Sequence, residues 1–123
     1  MILYLQIADD EHDKSQAYHC TVCGVLIARA TAAVRINGAH KHSFVNPAGI
    51  QCNFYTFVTC TNVLEHHELY EEHSWFPGYG WRFLMCARCL HHLGWKYDAV
   101  HPDRHPESFF GVLINALKLA KVP

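Results

Sequence analysis

Two matched cysteine pairs constrain this chain more than any other feature of its sequence. Cys20 and Cys23 form one Cys-x-x-Cys motif, and Cys86 and Cys89 form a second one far along the chain. Two such turns can supply the four thiolates that Zn²⁺ accepts in a closed tetrahedral site. The alternatives are two disulfides, or a redox dithiol beside unrelated thiols, but neither requires the duplicated spacing. The sequence therefore predicts one structural Zn²⁺, with no open position for catalysis.

Length and charge narrow the class of protein. A chain of 123 residues is the size of one domain, and its apolar fraction of 50% is ample for a packed core. Lys and Arg number 10 against 11 Asp and Glu, so no basic field favours a phosphate backbone. No apolar run approaches the roughly 20 residues of a membrane-spanning helix. We therefore expect neither a nucleic-acid partner nor a membrane partner.

The first residues carry no targeting signal that we recognise. Residues 1–8 are apolar but lack basic residues, and acidic residues follow where a signal-peptide cleavage site would lie. We therefore expect a cytoplasmic protein, or an extracellular one if a leader was removed from a longer precursor. Residues 1–17 are predicted to be a flexible lead-in, and residues 18–123 to form the domain.

Turn signals and alternating residues predict a mostly β fold. Asn37 and Gly38 favour a tight turn between two strands, the first of which would occupy residues 25–36. Asn46-Pro47-Ala48-Gly49 predicts a second turn, and residues 50–60 then alternate as in a central strand. Cys52 and Cys60 would lie on that strand as buried free thiols, too far apart to bond.

The second half of the chain continues this pattern around the second Cys-x-x-Cys motif. We call the turn formed by each motif a zinc knuckle. Residues 81–85 predict a strand leading into the second knuckle, residues 93–97 a strand leaving it, and residues 107–113 a last strand. Residues 115–121 are predicted to form a short helix. Because zinc knuckles lie at the ends of β-hairpins, the metal would close the domain on itself.

The three tryptophans are clustered in one part of the sequence. Trp75 and Trp81 bracket the Pro- and Gly-containing loop 76–80, and Trp95 follows the second knuckle. Three core tryptophans would be the simpler interpretation. However, the loop would make Trp75 face Trp81 across a hairpin, with Trp95 held beside them. This arrangement predicts an aromatic site for flat rings or cations.

The motifs of the chain resemble those of the CULT domain, the thalidomide-binding domain family of cereblon. The matching segments are Cys20 and Cys23, Asn46-Pro47-Ala48-Gly49, residues 73–81, Cys86 and Cys89, residues 92–97, and residues 108–113. The run His-Ser-Trp-Phe-Pro-Gly-Tyr-Gly-Trp at residues 73–81 is the most specific of these segments. The resemblance covers the chain from about residue 18 to near its end.

The resemblance implies a β-tent fold, in which two antiparallel sheets meet near one zinc ion. It also implies a pocket for a glutarimide or a related cyclic imide. By family resemblance the ligand-binding residues are Asn46, His73, Ser74, Trp75, Trp81, Trp95 and Tyr97. The tryptophans would be the walls and Tyr97 would close the site. The segment from His73 through Ser74 to Trp75 would supply the polar edge, and Asn46 would touch an outward substituent.

The implied partner is a small cyclic imide, or a protein whose C-terminus carries one. In cereblon a separate Lon-like domain joins the protein to a ubiquitin ligase. We expect no ligase contact, because this chain has no segment long enough for that domain. The chain would then be a stand-alone binder or a piece of a longer protein.

Two alternative functions remain open from the sequence. An aromatic cage near Glu71 and Glu72 could bind a methylated ammonium group by cation–π attraction. Methionine sulfoxide reductases of the B type resemble this domain in their two zinc knuckles. Their nucleophilic cysteine motif is missing here, and neither Cys52 nor Cys60 follows a basic residue that would lower its pKa. We therefore predict a binding module with no catalytic residues, not an enzyme.

Overall fold

The computed structural model describes residues 15–121, which form nine β-strands and two short 3₁₀ turns. The strands are β1 (Gln16–Cys20), β2 (Leu26–Arg29), β3 (Lys41–Val45), β4 (Gln51–Phe57), β5 (Val63–Glu65), β6 (Tyr79–Cys86), β7 (His92–Ala99), β8 (Ser108–Leu113) and β9 (Leu117–Lys121). The 3₁₀ turns are Ala30–Ala32 and Ile114–Ala116. Within the described range no helix has the length and apolarity needed to cross a membrane.

The strands form two antiparallel sheets. The smaller sheet has the order β2-β1-β9, and the larger one has the order β3-β4-β8-β7-β6-β5. The hairpin β1–β2 carries the first cysteine pair, and the hairpin β6–β7 carries the second. The predicted fold class, two antiparallel sheets joined at a four-cysteine cluster, is confirmed.

The N-terminal boundary differs slightly from the predicted one. Most of the predicted lead-in, residues 1–14, lies outside the described residues. Gln16 and Ala17, which we also assigned to the lead-in, belong to β1, and Ala17 is fully buried. They pair with Lys121 and Ala120 of β9. The ordered domain therefore begins before residue 18, because β9 supplies hydrogen-bonding partners that local sequence does not reveal.

Both predicted turns are present. Asn37 and Gly38 have φ of 51° and 85°, the positive values that this dipeptide tolerates. At the second turn, the Gly49 N–H donates to the Asn46 carbonyl at 2.9 Å. The Asn46 side-chain oxygen also accepts from the backbone N–H groups of Ala48 and Ile50, both at 3.0 Å. These bonds set the register of the β3–β4 hairpin.

Two predicted strands are shorter than expected. The strand predicted at residues 25–36 ends at Arg29, and the turn at residues 37–38 joins only an isolated bridge between Ile36 and Ala39. The strand predicted at residues 50–60 ends at Phe57, so Cys60 lies beyond it. The reason is that residues 58–61 leave the large sheet. The Thr61 N–H instead donates to the Ile27 carbonyl of β2 at 2.7 Å.

The helix predicted at residues 115–121 is wrong. The segment forms the 3₁₀ turn Ile114–Ala116 and then β9, which pairs with β1 along its whole length. Leu117 and Leu119 are spaced by two, the strand period, and short segments of this kind do not distinguish helix from strand. Pairing with β1 satisfies the backbone groups of the segment and decides its conformation.

The large sheet has a different core on each face, since successive strand residues point to opposite sides. One core lies between the two sheets and contains Cys20, Ile27, Ala28, Phe57, Leu84, Cys86, Leu93, Phe110, Val112 and Ala116. The other core is mostly aromatic and contains Ile36, Phe54, Phe76, Tyr79, Tyr97 and Phe109. All three tryptophans pack against this aromatic core, so the outer face of the large sheet carries the candidate ligand site.

Candidate functional site

The four cysteines of the two motifs come together as predicted. Their sulfur atoms all lie within 4.8 Å of one another. The Sγ atoms of Cys20 and Cys89 are 3.7 Å apart, and those of Cys23 and Cys86 are 3.6 Å apart. A Zn–S bond of about 2.3 Å in a tetrahedral site requires sulfur separations of about 3.8 Å. The donor set and its spacing therefore fit a zinc ion with four thiolate ligands.

The two knuckles are built in the same way. The Gly24 N–H donates to the Cys20 carbonyl at 2.8 Å, and the Leu90 N–H donates to the Cys86 carbonyl at 2.8 Å. Gly24 and Leu90 both have positive φ, 81° and 65°. Each turn thus reverses the chain tightly after its second cysteine. Cys20 and Cys86, the first cysteine of each pair, are fully buried.

The tendency to ionise differs between two thiols of the cluster, Cys86 and Cys89, and it is opposed at the other two cysteines. Burial acts against ionisation of Cys86, but nearby backbone N–H groups of Cys89 and Arg88 outweigh it and lower the pKa of the Cys86 thiol. Burial raises the pKa of the Cys52 thiol, and it raises the pKa of Cys60 to about 12. Cys52 and Cys60 are free thiols, as predicted. At Cys89 the backbone N–H of His91 lowers the pKa of the thiol, but burial and the sulfurs of Cys20 and Cys86 outweigh it and raise the pKa. The geometry of the four sulfur atoms therefore identifies the metal site, not their ionisation.

A second site is a cavity of about 320 Å³ on the aromatic face of the large sheet, which we call the tryptophan cavity. Its lining residues are Asn46, Pro47, His73, Trp75, Trp81, Phe83, His92, Trp95 and Tyr97. Small-molecule sites usually enclose about 300–1,000 Å³, so this cavity suits a small ligand. It includes all the predicted ligand-binding residues except Ser74.

Strands β6 and β7 supply one side of the tryptophan cavity. Trp81 pairs with Tyr97 across the two strands, and Phe83 pairs with Trp95. Residues at alternate positions of paired strands share one face, so all four rings face the same way. Tyr97 is almost fully buried and stacks on Phe109 with ring centroids 4.9 Å apart. It therefore lies deepest in the cavity.

Trp75 reaches the cavity from the loop before β6. Its ring meets that of Trp95 edge to face, with centroids 5.2 Å apart and planes at 85°. Behind it, Phe44 and Phe54 stack nearly parallel to it, at 5.1 Å and 5.7 Å. A Cβ at Gly111 would lie 2.9 Å from the Phe54 ring, so the missing side chain gives that ring its place on the sheet. Trp75 is thus held by packing on several sides.

Trp81 is fixed in a different way from the predicted one. Its indole N–H donates to the Glu72 carbonyl at 2.8 Å, and its ring stacks on Tyr70 at 4.8 Å. Trp81 does not face Trp75 across a hairpin, because its backbone pairs with Tyr70 through bonds of 2.8 Å and 2.9 Å. Residues 71–75 therefore form a loop, which carries Trp75 to the cavity separately.

The loop also provides a polar edge. His73 has a φ of 60°, an uncommon conformation for a residue other than glycine. Within residues 15–121 no hydrogen bond uses the His73 carbonyl or the Trp75 N–H. Ser74 does not line the cavity; its hydroxyl donates to the Phe76 carbonyl at 3.1 Å and accepts from the Phe76 N–H at 3.3 Å. Ser74 therefore shapes the turn, and its neighbours present the free donor and acceptor.

Three lining residues were not predicted from the sequence: Pro47, Phe83 and His92. Phe83 could have been found, because it lies two residues after Trp81 on a predicted strand. His92 contacts Phe83 and Trp95 edge to face, at 5.7 Å and 5.5 Å, and its Nε2 lies 2.9 Å from the Gly94 carbonyl oxygen. Burial lowers the pKa of the His92 imidazole, which favours its neutral form.

Comparison with known proteins agrees with this geometry. Residues 16–122 match a family described as "Yippee zinc-binding/DNA-binding /Mis18, centromere assembly". The chain belongs to this family. Because the family description names zinc and the four sulfur atoms have the spacing of a zinc site, the domain is a zinc-binding one.

Curated relatives of the domain are cereblon proteins. Protein cereblon of Drosophila virilis is 30% identical over 129 residues, which cover 95% of this chain and 19% of the relative. The Gallus gallus protein is 31% identical over 110 residues, 89% of this chain and 21% of the relative. The Danio rerio protein is 37% identical over 75 residues, 61% of this chain and 17% of the relative. The chain thus spans about a fifth of the length of these relatives and is a cereblon-like, zinc-binding domain.

Proposed function

We propose that this domain is a CULT-type binding module that recognises a cyclic imide in the tryptophan cavity, with one zinc ion as a structural part. One observation carries the proposal. Aromatic rings line a small cavity, and two of its lining residues, His73 and Trp75, carry a backbone carbonyl and a backbone N–H that form no hydrogen bond within residues 15–121. A six-membered imide has two flat apolar faces and one short polar edge, and it matches both features.

The polar edge matches an imide in the number and kind of its groups. The imide N–H would donate to the His73 carbonyl, and the Trp75 N–H would donate to one imide carbonyl. The His73 ring is available to donate to the other carbonyl. A ligand that covered these groups and left them unpaired would bind less well, which would give the site its selectivity.

The size of the ring bounds the expected affinity. A glutarimide has about eight non-hydrogen atoms, and about 1 kcal/mol per atom gives a Kd near micromolar. Tighter binding would need further contacts from a substituent. Asn46 and Pro47 at the cavity lining are placed to make them. The natural ligand would be a free imide or a protein C-terminus cyclised to one, since both present the same ring.

The cavity lining favours an imide over a methylated ammonium. None of the nine lining residues is Asp or Glu, and Glu72 contributes its backbone carbonyl to Trp81 instead. A cation would therefore depend on ring faces alone, without a neutralising carboxylate. A neutral ligand needs no such partner.

The same lining favours binding over thiol chemistry. No cysteine is among the lining residues. Burial raises the pKa of both thiols outside the metal cluster, Cys52 and Cys60, so neither is activated as a nucleophile. We therefore propose a binding module rather than a reductase.

Tryptophan fluorescence tests the proposal directly. Glutarimide should quench the emission with a saturable curve and a Kd near micromolar. N-methylglutarimide is the matched control: it keeps the ring but loses the N–H, and it should bind at least about tenfold more weakly. Equal binding of the two compounds would contradict the polar edge. Tighter binding of tetramethylammonium than of glutarimide would instead favour the alternative function, binding of methylated ammonium groups.

A further inference from the structure

A second cavity of about 490 Å³ borders the loop that carries Trp75. Its lining residues are Arg35, Ile36, Asn37, Phe76, Pro77, Tyr79, Asp103, Arg104 and His105. Trp75 lines the tryptophan cavity, whereas the next residue, Phe76, lines this one. The two cavities therefore share a loop but have different linings. We call the second one the arginine cavity.

Three segments of the chain surround the arginine cavity, and two of them are joined by hydrogen bonds. The Val100 N–H donates to the Gly78 carbonyl at 2.9 Å, and the Tyr79 hydroxyl donates to the Pro106 carbonyl at 2.7 Å. These bonds join the loop before β6 to the loop before β8. The Asn37 turn completes the cavity, with the buried side chains of Ile36 and Phe76 among its apolar residues. The cavity is thus a product of hydrogen-bonded loops.

Within residues 15–121 neither Arg35 nor Arg104 forms an ion pair or a hydrogen bond through its side chain. Arg82 on β6 differs, because its guanidinium bonds Asp98 at 2.9 Å. Asp103 is the one carboxylate among the lining residues, so the lining carries two guanidinium groups and a single carboxylate.

The Arg104 side chain passes close to the backbone of Gly78. A Cβ on Gly78 would lie 2.1 Å from Arg104 Nε and 2.9 Å from its Cγ and Cδ. A side chain at residue 78 would therefore require the Arg104 side chain to move, so the glycine leaves this space to Arg104.

We propose that the arginine cavity binds a small oxyanion, a phosphate or a carboxylate, between Arg35 and Arg104. Planar guanidinium groups form paired, charge-assisted hydrogen bonds with the oxygens of both anions. The two arginines are exposed, and Asp103 opposes the anion, so the affinity should be near millimolar, about the value for a few such bonds. The proposal does not depend on whether the tryptophan cavity binds an imide.

The proposal predicts a localised and saturable response to inorganic phosphate. The zinc-loaded, ¹⁵N-labelled protein would be titrated with sodium phosphate at pH 7, with chloride keeping the ionic strength constant. Amide signals of Asn37, Gly78 and Arg104 should shift together along one binding curve. A parallel titration with sodium acetate identifies the favoured anion. Saturable shifts at these amides with either anion would support the site. If, with both anions, the shifts are scattered over the protein or fail to saturate, the proposal is overturned.

Charge variants test whether anion affinity falls when an arginine is removed and rises when the carboxylate is removed. Arg35→Gln and Arg104→Gln should each weaken binding about fivefold, and the double variant should remove saturable binding. Asp103→Asn should tighten binding about two- to fivefold, since it removes a like charge from the same cavity. Arg29→Gln, an exposed arginine of β2, is the matched control and should leave the affinity unchanged.

An equal loss of affinity in Arg29→Gln would mean a general charge effect and would overturn the proposal. A weaker affinity in Asp103→Asn would do the same. Should an arginine variant fail to fold, the shift map of the unaltered protein still decides the question.

Discussion

The cysteine cluster and the tryptophan cavity use the same hairpin for opposite purposes. Cys86 ends β6, whereas Trp81 lies near the start of that strand. At the cluster, Cys20 and Cys86 are fully buried and their sulfurs meet those of the second pair. At the cavity, the indoles are half-buried, and the His73 carbonyl and Trp75 N–H have no partner within residues 15–121.

The difference separates stability from recognition. A buried group with all its partners in place contributes to folding, because any loss leaves an unpaired neighbour. A half-buried group with a free donor or acceptor contributes little to folding and can bind a ligand. We therefore expect changes at the cluster to unfold the protein, and changes at the cavity to remove binding while the fold remains.

The largest effect is expected at the cluster. Cys86→Ala removes one of four ligands from a site whose metal contributes directly to folding. It should lower the melting temperature by at least about 10 °C, equivalent to a few kcal/mol in a domain of this size. Circular dichroism melts and the bound zinc content would measure the loss. Cys60→Ala, a matched truncation outside the cluster, should keep its zinc and melt within a few degrees of the unaltered protein; equal loss in both would refute the comparison.

The next effect is expected at the cavity wall. Trp95→Ala should weaken glutarimide binding by about 2–4 kcal/mol, the range for a central aromatic contact. The zinc content and the β-sheet circular dichroism should be retained. Tyr55→Ala is the matched control, because this half-buried aromatic lies on the opposite face of the large sheet, against the core between the sheets. Tyr55→Ala should lower the stability of the domain and leave the affinity for glutarimide, measured by fluorescence, within about twofold. Unchanged glutarimide binding in Trp95→Ala would contradict the assignment of the tryptophan cavity as the imide site.

A smaller effect is expected from pH in the aromatic core. Burial lowers the pKa of His42 below its ordinary value of 6.5, although a hydrogen bond to the Ala39 carbonyl partly compensates. Below that value the unfolded chain takes up a proton that the folded chain resists, so stability falls as pH falls. Between about pH 7.5 and 5.5, urea unfolding should show a smaller loss for His42→Gln than for the unaltered protein, by at most about 1.4 kcal/mol per pH unit.

His40 lies near His42, and burial also lowers its pKa, so it contributes to the same slope. His40→Gln should therefore also reduce the loss of stability between about pH 7.5 and 5.5. Identical slopes in His42→Gln and the unaltered protein would assign the pH effect to other groups.

The smallest effect is expected at the turn beside the polar edge. Ser74→Ala removes the two bonds to the Phe76 backbone and should destabilise the domain by about 0.5–1.5 kcal/mol. Because the turn orients the Trp75 N–H, glutarimide should bind a few-fold more weakly. Ser74→Thr keeps the hydroxyl and should restore most of the affinity. A loss as large as that of Trp95→Ala would mean that Ser74 touches the ligand itself.

Much of the fold and the site could be predicted because local signals were strong. The cysteine spacing predicts the cluster, and Asn37-Gly38 and Asn46-Pro47-Ala48-Gly49 predict their turns, since few residues tolerate those backbone conformations. Strands β6 and β7 follow from alternating apolar residues. Most of the cavity residues were identified from the motif resemblance, which carries information that periodicity alone does not.

The remaining features depend on partners distant in the chain. Residues 117–121 form a strand because β1 pairs with them, and residues 58–61 leave the large sheet because Ile27 accepts a hydrogen bond from Thr61. Trp81 pairs with Tyr70 and not with Trp75. In each case the local pattern fits two conformations, and long-range hydrogen bonds select one.

The sequence by itself determined the donor set of the predicted zinc site, Cys20, Cys23, Cys86 and Cys89, because residue identity and Cys-x-x-Cys spacing are local properties. Only the tertiary structure decided which groups stay free. Within residues 15–121 the His73 carbonyl, the Trp75 N–H and the side chains of Arg35 and Arg104 have no partner, and this is visible only after folding. The place of His92 in the cavity lining is likewise visible only after folding. Whether a polar group has a partner depends on what the rest of the chain brings to it.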